Sequence, residues 1–129
     1  MMELTIKDQV YQFTFGMGFL REVNKQAQRP VDGFTDLKES MGLQMMVAGL
    51  RARDCEYLVK ALEAANKAHN PRVSRVLLDA HIDDPETDID ALFDDVMDFL
   101  RRTNATKNVV VKALETMDEE EARLKAKNK

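Results

Sequence analysis

The sequence predicts a mainly α fold of the α+β class: an N-terminal β-hairpin followed by about five helices in a small bundle. Three observations lead there. Residues 4 to 15 form two β-favouring runs broken by a polar step. Beyond residue 16, apolar residues recur at helical spacing in several segments, most of them preceded by a residue that starts helices well. A chain of 129 residues has the size of one ordinary core. The expected organisation is a single domain over 1–129, with the hairpin over 1–15, a helical core over 16–117 and a charged tail over 118–129.

The hairpin is read from LTIKDQVYQFTF, where Lys7, Asp8 and Gln9 separate the two runs. Tyr11, Phe13 and Phe15 share one face and Val10 takes the other, so the second strand is expected to be covered on both sides. A lone hairpin is marginal in water and must lie against helices. GMGFLREVNKQAQRP then places Phe19, Leu20, Val23 and Ala27 at helical spacing, predicting a helix of about three turns closed by Pro30. RPVDGFTDLKES reads as a loop whose Ser40 caps the next helix.

That helix is MGLQMMVAGLRAR. Leu43, Met46, Val47 and Leu50 form a stripe, and Met45 and Ala48 widen it until little of the helix is polar. A tight corner is predicted near Arg53, with Asp54 capping a helix that carries Tyr57, Leu58, Ala61, Leu62 and Ala65. Asn70 and Pro71 predict a short helix bearing Val73, Val76, Leu77 and Ala80. Asp84 or Thr87 is expected to cap DIDALFDDVMDFLRR, whose stripe is Ile89, Leu92, Phe93, Val96, Met97 and Leu100. Acids stand early in that helix and Arg101 and Arg102 late, which matches its dipole. Thr106 is the expected cap of a last helix with Val109, Val110, Ala113, Leu114 and Met117 on its apolar side, after which the charged end should project or fray.

Composition narrows the class of function. At 44% hydrophobic and 33% charged, the chain is expected to be soluble, with no membrane span and no export leader at MMELTIKDQVYQFTF. One cysteine, Cys55, cannot make an internal disulfide and suits a reducing cytoplasm. The net charge of −4 conceals an asymmetry: residues 79–100 hold nine acids and no Lys or Arg, leaving the rest of the chain net basic. Such a run either faces water or steers head-to-tail self-association.

No motif supplies catalysis, and neither metal nor cofactor is expected. FGMGFLRE lacks the third glycine and the Lys of a phosphate loop. DDPETDID lacks the central glycine and closing glutamate of a calcium loop. Cys55, His69 and His81 match no zinc spacing, and Cys55 stands in an ordinary amphipathic helix. A helix-turn-helix reader of DNA within RARDCEYLVKALEAANKAHNPRVSRVL is opposed by a pI near 5.2, the absence of an extended basic face and the missing glycine turn. A generic helical adaptor is the other alternative.

Three segments carry a family resemblance. MELTIKDQVYQFTFGMGFLREVN, with Phe15, Gly16, Gly18, Phe19, Arg21 and Glu22, resembles the opening of tail assembly chaperones of long-tailed, non-contractile bacteriophages, particularly those of Gram-positive hosts. MGLQMMVAGL resembles that family's Gly-Leu-Gln segment, and DIDALFDDVMDFLRRTNATKNVVVKAL its acidic helix, break and last helix. The order and spacing of all three give the match its weight over most of residues 2 to 115; the loop at 29–40 and the end after Met117 depart from it.

The resemblance implies a non-enzymatic protein of the host cytoplasm, absent from the mature virion. It implies binding to the tape measure protein, recruitment of the tail tube protein, and a second, longer form of the same protein made by frameshifting. Neither nucleic acid nor membrane is among the expected partners. Methionine is unbranched and polarizable, so Met41, Met45 and Met46, with Leu50, are the expected partner-binding residues, adaptable to many apolar helices. The competing reading places this helix in the core, most strongly at Leu43, Val47 and Leu50.

Overall fold

The computed structural model describes residues 1–25, 28–30 and 38–128, without the side chains of 28–30 and 38–40. It is the α+β arrangement expected: an antiparallel hairpin followed by helices, six of them among the described residues. Strands β1 (Met2–Ile6) and β2 (Gln9–Phe13) pair in the register Met2 to Phe13 and Ile6 to Gln9. Lys7 and Asp8 both have positive φ, 50° and 68°, which gives the two-residue turn whose twist matches that of the strands. Met2, Ile6, Tyr11 and Phe13 are buried on one side, while Val10 is 43% exposed on the other. Val10 thus stands open where cover on both faces of the second strand is expected, a correction to that reading. Thr14 N–H donates to the Ala65 carbonyl (2.9 Å), fixing the end of the hairpin to the bundle.

Helix α1 (Met17–Asn24) buries Phe19 and Val23. It is a turn shorter than predicted, and Ala27, which would have extended its stripe, lies outside the described residues. Gln28–Pro30 and Lys38–Ser40 pair as short antiparallel strands β3 and β4 where a plain loop is predicted; residues 31–37 of that loop lie outside the described residues. The cap assigned to the Ser40 side chain lies outside them too. At the start of α2 (Gly42–Arg51) the N-cap position is Met41, and Asn24 Oδ1 at the end of α1 accepts from Leu43 N–H (3.0 Å). A residue distant in sequence thus satisfies one of the free amides at that helix end.

Two glycines allow α2 its close neighbours. A Cβ on Gly42 would collide with the Val23 carbonyl and lie 2.8 Å from Asn24 Cα, and one on Gly49 would run into the Tyr57 ring. Arg53, at φ 60°, turns the chain from α2 into α3 (Cys55–Asn66). Its N–H donates to the Leu50 carbonyl (3.1 Å) and Asp54 N–H to the Gly49 carbonyl (2.9 Å), the pair of hydrogen bonds that closes helices through a left-handed residue. Asp54 caps α3 as predicted, accepting from Glu56 N–H (2.9 Å).

The chain from 70 to 74 is not helical, and α4 (Arg75–Asp83) starts at Ser74, whose Oγ accepts from Leu77 N–H (3.2 Å). The start predicted at Asn70 and Pro71 and its stripe are both corrected: Leu78 is fully buried, while Val76 is 77% exposed. The reason is Asn66, 1% exposed, which takes the connector for itself. Its Oδ1 accepts from Val73 N–H (2.7 Å), and its Nδ2 donates to the carbonyls of Gln12 (3.0 Å) and Pro71 (3.2 Å). Hairpin, α3 and connector meet on one satisfied amide.

Helix α5 (Ile89–Arg102) keeps its predicted stripe, with Leu92, Phe93, Val96, Met97 and Leu100 buried and Ile89 half-buried. Its cap is Asp88, accepting from Ala91 N–H (3.0 Å), rather than Asp84 or Thr87. Those two are engaged in the preceding turn, Asp84 with Glu86 N–H (2.9 Å) and Thr87 with the His81 carbonyl (2.6 Å). Helix α6 (Lys107–Lys127) begins after Thr106, whose buried hydroxyl donates to the Leu100 carbonyl (2.7 Å) instead of capping. Val110 is buried, with Ala113, Leu114 and Met117 half-buried against the core. Past Met117, where the end is expected to project or fray, the chain continues as unbroken helix to Lys127 with its described side chains exposed, and Arg51 of α2 holds Asp118 (2.8 Å) and Glu121 (2.6 Å).

Candidate partner-binding surface

Helix α2 buries Leu43, Met46, Val47 and Leu50 at 1%, 4%, 0% and 2% exposure, while Met45 stands out at 48% and Met41 is half-buried. Of the four residues read as partner-binding, the structure sets Met46 and Leu50 inward, leaves Met41 half-buried and exposes Met45. The width of the apolar face explains the division. A helix packed on α1 and α3 on its flanks and on α6 beneath can hide most of its circumference but leaves one edge open.

Met45 and Met46 both line a cleft of about 610 Å³ formed with α1, α3 and the 72–75 connector. Val23, Tyr57, Ala64 and Val73 complete its apolar part, and six charged residues ring it: Glu22, Lys60, Glu63, Lys67, Arg72 and Arg75. Lys67 binds Glu22 (2.8 Å), which also takes Lys25 (3.3 Å). The Lys67 hydrogen bond, opposed in part by burial and reinforced by Lys25, holds the Glu22 carboxyl below the usual carboxylate range. Arg75 grips Glu63 through two nitrogens (3.0 and 3.2 Å), and that pairing raises the guanidinium pKa. Lys60 lies over the Tyr57 ring at 5.0 Å. Two carboxylates against four cations leave the rim net positive in a chain whose overall charge is −4.

Sequence reasoning reached the floor of this cleft through its methionines but missed the rim. A signal was there: Tyr57, Lys60, Ala64 and Lys67 fall at i, i+3, i+7 and i+10, along the edge of the core stripe of α3. Arg72 and Arg75 carried none, since their place depends on the path imposed by Asn66.

The acidic run gathers elsewhere. Asp84, Glu86, Asp88 and Asp95 surround a hollow of about 410 Å³ between β1 and the corner joining α4 to α5. Of the residues weighed for metal, His69 Nε2 meets Thr14 Oγ1 at 2.7 Å and Cys55 is exposed. Among the described residues no three His, Cys, Asp or Glu side chains come together to hold a metal ion, and no helix is long and apolar enough to cross a membrane. The chain is similar to a family described as phage tail assembly chaperone protein, whose model matches residues 3–115. No curated protein and no solved structure matches.

Proposed function

Because the chain belongs to the phage tail assembly chaperone family, we propose that it binds the tape measure protein, keeps that protein's helical apolar segments soluble and helps recruit tail tube subunits. The role is non-enzymatic, carried out in the host cytoplasm and finished before the virion is complete, and it is shared with a longer form of the same protein made by frameshifting. The observation that carries the reading is Met45: a large apolar side chain left 48% exposed at the mouth of a cleft, next to a second methionine that forms its floor. Two flexible thioethers side by side can refit to successive apolar side chains, as a long repetitive client demands. Met46 and Leu50 then serve from beneath, by backing the contact.

Co-expression with the tape measure protein tests this. The wild-type chain should raise the soluble fraction of that protein several-fold and co-purify with it. Met45→Glu should lose both effects while keeping the far-UV circular dichroism of the wild type. A client that stays insoluble beside wild-type chain refutes the function, and full activity of Met45→Glu refutes the surface.

The separation of charge supports head-to-tail self-association as well. The acidic corner of α4 and α5 in one copy suits the exposed Arg101, Arg102 and Lys107 of another. Sedimentation at low salt should show concentration-dependent growth that 0.5 M salt removes, on the order of what screening does to exposed charges.

A further inference from the structure

Resting on the proposed function, we infer that the Met45 cleft selects client segments by charge: its occupant is an amphipathic helix whose apolar side chains are flanked by Asp or Glu. The floor by itself is indifferent to what borders an apolar side chain. The rim is not. Lys60, Lys67, Arg72 and Arg75 outnumber Glu22 and Glu63, and the carboxylates present are already committed to Lys67, Lys25 and Arg75. Among the described residues, Lys60 and Arg72 have no carboxylate partner, and both are exposed. An incoming carboxylate one helical turn from an apolar anchor would meet them while the anchor reaches Met45 and Met46. A lysine in that place would meet Lys60 and Arg72 with no carboxylate between them, so the rim repels as well as attracts. The acidic corner of α4 and α5 sharpens the point: it repels an acidic client helix, which favours this rim over that end of the chain.

The experiment uses the full chain and three fluorescent helical peptides that share one apolar face of Leu and Ala and carry Glu, Gln or Lys on its flanks. Anisotropy should show the Glu peptide binding at least tenfold more tightly than the Lys peptide, with the gap narrowing as salt is raised. The double variant Lys60→Glu, Arg72→Glu changes two exposed side chains; it should invert the order, and circular dichroism checks that it folds. Equal binding of all three peptides, or an unchanged order in the folded double variant, overturns the inference. Self-association that the double variant abolishes while peptide binding persists also overturns it, by making a second copy the occupant. Co-expression separates this from the function itself. If wild type and double variant solubilise the tape measure protein equally, the chaperone stands and charge selection falls; if wild type fails there yet still prefers the Glu peptide, charge selection stands and the chaperone role falls.

Discussion

Gly42→Ala tests the crossing of α1 and α2 on which the cleft is built. The added methyl carbon would collide with the Val23 carbonyl and sit 2.8 Å from Asn24 Cα, both backbone atoms that no rotamer change can move aside. The two helices must separate, and overpacking of this kind costs about 1–3 kcal/mol. Separation also stretches the Asn24 bond to Leu43 N–H, worth about 1 kcal/mol. Against this, alanine gains at most about 1 kcal/mol of helix propensity, and less at the first helical residue. The net loss is therefore about 1–4 kcal/mol, a large share of the ~5–15 kcal/mol that holds a domain, and Tm should fall by roughly 3–20 °C. Differential scanning calorimetry reads it directly. Gly18→Ala supplies the contrast, since its Cβ meets nothing within 4 Å, and it should be neutral or raise Tm slightly. If Gly42→Ala behaves like Gly18→Ala, α1 and α2 do not approach as described, and the cleft floor has another shape.

Other perturbations separate the remaining supports. Replacing Lys7-Asp8 by Asn-Gly relieves two side chains held at positive φ and should raise stability by about 1 kcal/mol in urea titration, with the slope unchanged. Asn66→Ala leaves Val73 N–H and the Gln12 and Pro71 carbonyls without their partner and should lower stability by about 2–4 kcal/mol, with hydrogen exchange rising first at Val73. The Glu22 carboxyl has a lowered pKa in the folded chain, so its contribution is present above the unfolded value of about 4.3 and is lost as pH falls through the folded one. Glu22→Gln should thus cost up to about 1 kcal/mol at pH 7 and progressively less as pH falls below about 4.3, as followed by thermal melts across the acid range. Met46→Glu places a charge in the core and should unfold the chain, whereas Met45→Glu should melt within about 2 °C of wild type.

Periodic features were legible in the sequence, and features made by contact between distant segments were not. The stripe of α5 and the Asp54 cap follow from a few adjacent residues whose spacing or side-chain length decides the outcome. The start of α4 does not, because Asn66 competes for the Val73 amide from another helix. Likewise Leu43 N–H finds Asn24, and Arg51 finds Asp118 and Glu121, across stretches of chain that no local pattern spans. The candidate surface divides the same way: methionine content pointed to Met45 and Met46, but which of them faces outward depends on α1, α3 and α6 together.

The bond from Asn24 to Leu43 joins the last turn of one helix to the first turn of the next, so it fastens α1 to α2 directly. The connection between Asn24 and Leu43 can be lengthened at little entropic cost, since closing a longer loop adds only about 0.6 kcal/mol per doubling. It is accordingly the place in this chain to graft an epitope tag or a fluorescent reporter, with the geometry beneath Met45 left as it was.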